Sequence, residues 1–93
     1  MSDGPTIVIS GAGGWVFPVE LARDILSFPA LVGSRIVLYD IDPPAAERTR
    51  GFVQRMVDDA GLSTTIEVAT DLRSALRGAD VVITVFQVGI FHV

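Results

Sequence analysis

A continuous apolar, β-branched run, Thr6-Ile7-Val8-Ile9-Ser10, passes directly into Gly11-Ala12-Gly13-Gly14 and from there into a helical pattern. This junction constrains the fold more than any other feature. A strand apolar on both faces has to be covered on both faces, which is the condition of a parallel sheet between helix layers. A glycine turn leading straight into a helix makes the unit a βα unit, and parallel strands need such crossovers.

The rest of the chain repeats the pattern. A helix is predicted from about Trp15 to Phe28, with Leu21, Ile25 and Phe28 on one stripe and Ala22 and Leu26 beside it. Pro18 fits only in its first turn, and Pro29 stops it. A second strand is predicted over Arg35–Asp40. The second helix takes Asp42 as N-cap and Pro43 at its first position, then runs to about Ala60. Its stripe is Thr49, Phe52, Val53, Met56, Val57 and Ala60, and Gly61 is the stop. Thr65–Ala69 alternates in polarity, which suits a strand at a sheet edge. A short helix is capped by Thr70 or Asp71, runs through Arg77 and ends at Gly78. Asp80–Phe86 is the fourth strand, followed by the tail Gln87–Val93. Strands alternating with helices at this spacing predict right-handed parallel crossovers. The fold class is therefore α/β: a Rossmann-like, three-layer αβα arrangement with strand order 3-2-1-4, an incomplete half of the doubly wound sheet. The chain stops after its fourth strand, where such a sheet normally continues. The expectation is one truncated Rossmann domain over residues 1–93, with any catalytic domain absent.

The turn is where chemistry enters. Gly11 allows a tight exit from the strand, and Gly13 lets backbone approach a pyrophosphate without a Cβ in the way. A following helix N-terminus presents unpaired N–H groups and a positive dipole end to phosphate. The third glycine of the dinucleotide fingerprint is replaced by Val16. Two glycines alone also suit an ordinary βα loop, so the strand before and the helix after carry the reading. Asp40, ending the second strand, can accept hydrogen bonds from adenosine ribose hydroxyls. Asp42 adds negative charge and no arginine follows directly, which favours NAD over NADP. As a solvated strand end, Asp40 needs no ligand. For Asp42 the N-cap role is the preferred one.

The ends of the first and fourth strands flank the switch point at which such sheets bind ligands. Gln87 is polar within an apolar run and either bonds cofactor or faces water. His92, the sole histidine, reads as a surface residue near the terminus. No carboxylate pair, nucleophile–base pair or metal-ligand cluster stands out in the sequence.

Composition narrows the partners. Eleven acidic against seven basic residues give a net charge of −4 without a basic patch, which argues against nucleic acid. There is no cysteine, hence no disulfide framework or thiolate chemistry. The apolar runs fall short of the roughly 18–20 residues of a membrane span, and Met1–Pro5 lacks the basic start of a secretory signal. A cytoplasmic location is expected. Hydrophobic residues make up 49% of the chain, more than so small a domain needs alone. The excess predicts surface buried against further chain or another subunit, and a homo-oligomer is expected.

Several segments together resemble the N-terminus of glycoside hydrolase family 4. They are Ile9-Ser10-Gly11-Ala12-Gly13-Gly14-Trp15-Val16-Phe17, Asp24-Ile25-Leu26-Ser27-Phe28-Pro29-Ala30-Leu31 and Leu38-Tyr39-Asp40-Ile41-Asp42. Thr70-Asp71, Ala75-Leu76, Gly78-Ala79-Asp80 and Gln87-Val88-Gly89 follow in the family's order. The resemblance spans nearly the whole chain, and that family's fingerprint also lacks the third glycine. It departs at Ile90, where the family has a further glycine, and through Phe91-His92-Val93. The resemblance implies glycosidases that use NAD and a divalent metal, commonly manganese. They cleave a sugar or phospho-sugar glycoside by oxidation, elimination and re-reduction, outside the two-carboxylate scheme. It implies cofactor-binding roles for Gly11, Gly13, Gly14, Val16 and Phe17 at the phosphates. Asp40 would bind at the ribose, and Gln87 would lie near the nicotinamide half. The family's metal-binding cysteine and histidine, its tyrosine base and its substrate-gripping arginine have no counterpart in these residues. Catalytic and metal ligands are therefore expected in neither turn nor tail.

Two other readings remain open on the sequence. A lactate/malate-dehydrogenase-type oxidoreductase shares the half-fold and the acid, but would want an arginine-bearing loop after the fourth strand. A non-catalytic NAD-binding or interaction module would suit a natural chain of this length.

Overall fold

The computed structural model describes residues 4–12 and 16–85, with the side chains of residues 16–18 outside that description. Among them the elements run β1 (Thr6–Ser10), α1 (Val16–Leu26), β2 (Arg35–Tyr39), α2 (Pro43–Ala60), β3 (Thr65–Val68), α3 (Leu72–Leu76) and β4 (Val81–Thr84). A one-turn 3-10 helix, Pro29–Leu31, lies between α1 and β2. The four strands form one sheet in the order β3-β2-β1-β4, every pair parallel. This is the expected Rossmann order, with β1 central because both its faces are apolar and must be covered.

The register puts Ile7, Val8 and Ile9 beside Ile36, Val37 and Leu38. Alternation then divides them between two faces. On one face Ile7, Ile9, Ile36, Leu38 and Ile66 pack with Ala22 and Ile25 of α1 and Val53 and Val57 of α2. On the other, Val8 and Val37 meet Ala75 of α3, with Tyr39, Ala69 and Ala79 at its margin. Val8, Ile9, Ile36 and Leu38 are fully buried, and each such side chain contributes about 1.5–3 kcal/mol from burial.

The helix ends follow local chemistry, and some differ from expectation. Helix α1 stops at Leu26, two residues before Phe28. Phe28 precedes Pro29, and the proline ring bars a helical conformation there. Phe28 is accordingly extended, at φ −94 and ψ 117, and leaves the buried stripe, being 58% exposed. Pro29, with no N–H to lose, opens the 3-10 turn rather than closing the segment. In α2 the buried line is Ala45, Thr49, Val53 and Val57, with Ala46 alongside. Every fourth residue recurs, one helix face. Phe52, placed by periodicity in that stripe, is 62% exposed. Gly61 ends α2 in the left-handed conformation, at φ 65, as its position predicts.

Asp71, not Thr70, caps α3: its carboxylate accepts from the Ser74 N–H at 2.7 Å and from the Ser74 hydroxyl at 3.0 Å. The helix ends at Leu76, because Arg77 is already extended at ψ 122. Strand β4 starts one residue later than expected. Asp80 instead clasps the start of β1, its Oδ2 accepting from the Thr6 N–H at 2.8 Å while its own N–H donates to the Thr6 carbonyl at 2.9 Å. The predicted extension of the fourth strand to Phe86 lies partly outside the described residues.

Candidate functional site

The carboxyl ends of β1, β2 and β4 lie side by side, since β1 pairs with both other strands up to Ser10. Adjacent strands are only about 4.8 Å apart, so what leaves these three ends shares one small region. From β1 comes the Gly11–Ala12 turn, from β2 Asp40, and from β4 Val85.

The turn is held on three sides. The Gly11 and Ala12 N–H groups both donate to the Tyr39 carbonyl, at 2.8 and 2.9 Å. The Val85 N–H donates to the Ser10 carbonyl at 2.8 Å, bringing the end of β4 against the start of the turn. From below, the Thr49 hydroxyl of α2 donates to the Ala12 carbonyl at 2.6 Å. Ala12 is fully buried and Thr49 nearly so. Gly11 has φ 85, a left-handed conformation, and a Cβ there would lie 2.5 Å from the Val85 carbonyl oxygen. Glycine is therefore required at position 11 by the chain's own backbone, before any ligand is considered. With the amides of Gly11 and Ala12 spent on Tyr39, donors for an anion have to come from the residues that follow.

Asp40 emerges beside this turn, one residue past the carbonyl that anchors it. Its Oδ1 accepts from the Asp42 N–H at 2.8 Å, a local bond that aims the carboxylate and turns the chain into α2. Asp42 occupies the N-cap position of α2, but its side chain makes no capping hydrogen bond. The capping role expected of that carboxylate is not realised, because Pro43 and Pro44 have no N–H to offer and the Ala45 N–H already donates to the Asp42 carbonyl at 3.0 Å. Between the two acids Ile41 is 89% exposed. A carboxylate is an acceptor-only group, which is the chemistry a ribose diol asks of a strand end.

Of the residues singled out in the sequence, Gly11 and Asp40 are thus brought together. Val16 begins α1, with Phe17 in its first turn, but their side chains are outside the description. Gly13, Gly14, Gln87 and His92 lie outside the described residues. Thr49 and the Tyr39 carbonyl were not legible as parts of the site. A hydroxyl inside an otherwise apolar helix stripe was the one available signal for Thr49, whereas a main-chain carbonyl leaves none.

The model for family 4 glycosyl hydrolases matches residues 6–93. This chain belongs to glycosyl hydrolase family 4. Among curated family members, an alpha-glucosidase of Erwinia rhapontici is 39% identical over 83 residues, covering 89% of this chain and 18% of the relative. An alpha-galactosidase of Rhizobium meliloti is 35% identical, covering 89% of this chain and 17% of the relative. The chain thus spans less than a fifth of the length of these relatives. Among solved structures, the 6-phospho-beta glucosidase from Thermotoga maritima, determined with manganese, NAD+ and glucose-6-phosphate, superposes with a TM-score of 0.75 at 26% identity. That likeness covers 87% of this chain and 19% of the glucosidase. The family 4 relatives are glycosidases, and the sheet described above is their Rossmann-type unit. Among the described residues no group of three or more His, Cys, Asp or Glu could hold a metal ion, and no helix is long and apolar enough to cross a membrane.

Proposed function

We propose that this chain is the NAD-holding unit of a family 4 glycosidase, one that cleaves glycosides by oxidation, elimination and re-reduction. The observation that carries the proposal is the paired geometry at the ends of β1 and β2: a left-handed glycine turn and, anchored through the preceding carbonyl, an aimed carboxylate. The family membership and the NAD+ of the Thermotoga maritima structure support it.

In this reading Gly11 contributes the shape of the turn rather than an N–H, since Tyr39 already occupies that donor. The amides of Gly13 and Gly14, and those of Val16 and Phe17 in the first turn of α1, would serve the pyrophosphate, since unpaired N–H groups and the helix dipole favour negative charge. Asp40 accepts from the adenosine ribose. Gln87 would serve the nicotinamide half. Bound NAD would supply the hydride acceptor that activates a sugar ring and then restores it. The chain's own part is to hold and orient the cofactor. A divalent metal, manganese in the reading adopted here, would be held by groups other than those described, and the sugar or phospho-sugar substrate would be gripped elsewhere. In this reading the protein works in the cytoplasm as a homo-oligomer.

Titration calorimetry tests the cofactor reading. NAD should bind more tightly than NADP, whose 2′-phosphate would face the Asp40 and Asp42 carboxylates. Asp40→Ala should weaken NAD by about ten- to a hundredfold, the loss of hydrogen bonds to a charged acceptor. Tighter NADP binding, or unchanged NAD affinity in Asp40→Ala, would sink the assignment of the ribose site.

A further inference from the structure

Thr49 stands in the middle of α2, away from both strand ends in sequence, yet its hydroxyl reaches the cofactor turn. It donates to the Ala12 carbonyl at 2.6 Å, and the two residues are 0% and 4% exposed for Ala12 and Thr49 respectively. The same oxygen lies 3.4 Å from the Ala45 carbonyl one helical turn earlier, the usual back-bonding position of a helical threonine. The shorter bond is to the turn, so the hydroxyl's principal partner is outside its own helix.

The bond holds the Ala12 carbonyl down onto α2. On the strand side, the Ala12 N–H is held by the Tyr39 carbonyl at 2.9 Å. Both polar groups of the Ala12 backbone are thus tied, the N–H to β2 and the C=O to α2. The same β2 end and α2 start carry Asp40 and its bond to Asp42. Loss of the Thr49 hydroxyl would leave the Ala12 carbonyl buried without that donor, a state proteins avoid by moving the group.

We infer that Thr49 is a positioning residue for the dinucleotide turn: its buried hydroxyl, bonded to the Ala12 carbonyl, fixes the backbone of the turn from α2 as the Tyr39 carbonyl fixes it from β2. This rests on the cofactor reading above and goes beyond it in naming a residue that touches no cofactor. It links the phosphate turn, through Thr49, to the same helix whose N-cap residue Asp42 is bonded to the ribose acid Asp40.

The test compares Thr49→Val, which keeps the shape and removes the hydroxyl, with Thr49→Ser, which keeps the hydroxyl. Val57→Ala, a buried truncation at the far end of α2, controls for lost stability. NAD dissociation constants are measured on the protein at the full length its gene encodes, well below each variant's melting temperature. Thr49→Val should raise the NAD constant about tenfold, equivalent to the loss of one buried hydrogen bond. Thr49→Ser should stay within about twofold of wild type, and Val57→Ala should lower the melting temperature while leaving the constant unchanged. Wild-type affinity in folded Thr49→Val, weakening in Thr49→Ser as large as that expected for valine, or an equal rise in Val57→Ala would each overturn the inference. Should Thr49→Val fail to fold, Thr49→Ala, which also lacks the hydroxyl, takes its place with the same expected rise and the same overturning result. Absence of NAD binding by the wild-type protein would overturn the cofactor reading first and this inference with it. Wild-type binding with an indifferent Thr49→Val overturns this inference alone.

Discussion

Gly11 and Gly51 show how differently one residue type can be held. At Gly11 the backbone is left-handed and the Val85 carbonyl occupies the space of a Cβ. Gly11→Ala has to pay left-handed strain of about 1–2 kcal/mol and push β4 aside as well. We expect a loss of at least about 2 kcal/mol in denaturant unfolding, together with weakened NAD binding. An unchanged unfolding midpoint would mean that the turn does not have the shape described. Gly51 sits in the interior of α2 with nothing within 4 Å of a would-be Cβ. There glycine only adds freedom to the unfolded chain, and Gly51→Ala should stabilise the protein by about 0.5–1 kcal/mol in the same measurement. The sequence marked Gly11 by its place after a strand. It could not reveal that the neighbour forbidding a side chain is the end of β4, seventy-odd residues downstream.

At the scale of elements, charge is used at edges and ends. Arg35 at the start of β2 holds Glu67 of β3 through two hydrogen bonds, Nε to Oε2 at 2.8 Å and Nη2 to Oε1 at 2.9 Å. The bond to Arg35 lowers the Glu67 pKa, and reciprocally raises that of Arg35. Both side chains are more than a third exposed, so the pair is worth no more than about 1 kcal/mol and should weaken with salt. Asp71 is lowered by the Ser74 backbone N–H first, then by the Ser74 hydroxyl. A carboxylate whose folded pKa is depressed contributes stability above its unfolded pKa, and that contribution disappears as pH falls through the folded value. Stability should therefore decline on acidification through and below the usual carboxylate range. Glu67→Gln together with Asp71→Asn should flatten that decline, as followed by thermal melts across pH. A double variant that follows the wild-type curve would show that neither group is linked to folding. Asp71 was legible as a cap from its place before a short helix. The Arg35–Glu67 pair was not, because it depends on the register of β2 against β3.

Across the whole molecule the two faces of the sheet are unequally covered. Helices α1 and α2 together bury one face, while the short α3 shields β1 and β2 on the other. Strand β4 stays open, with Val81 and Val82 each 46% exposed, and Leu72 and Leu76 of α3 are 42% exposed. The sequence's excess of apolar residues predicted such surface, and among the described residues four of the seven exposed large hydrophobics lie on β4 and α3, the other three being Phe28, Ile41 and Phe52. Single truncations should register the asymmetry. Ile9→Ala, at a fully buried position, should cost about 2–5 kcal/mol, whereas Val82→Ala in the 93-residue chain should cost less than about 1 kcal/mol. Equal costs by urea unfolding would mean that the sheet face carrying Val82 is covered as well as the face carrying Ile9.

The sequence by itself determined the class of fold, the strand order, the glycine turn and the acid at the end of β2, because periodicity and turn chemistry act over a few residues. It also carried the family, through short runs kept in order along nearly the whole chain. Helix ends were legible where proline or glycine forces them, as at Gly61, and were misjudged at Phe28, where periodicity ran on past the pre-proline position. Only the tertiary structure decided that the Tyr39 carbonyl anchors the turn, that Asp40 rather than Asp42 makes the bond at the head of α2, and that Thr49 reaches Ala12. Each of these is a contact made when separate strands and helices pack, or a contest among neighbouring donors and acceptors. Such outcomes depend on distances of a few tenths of an ångström that no local pattern encodes.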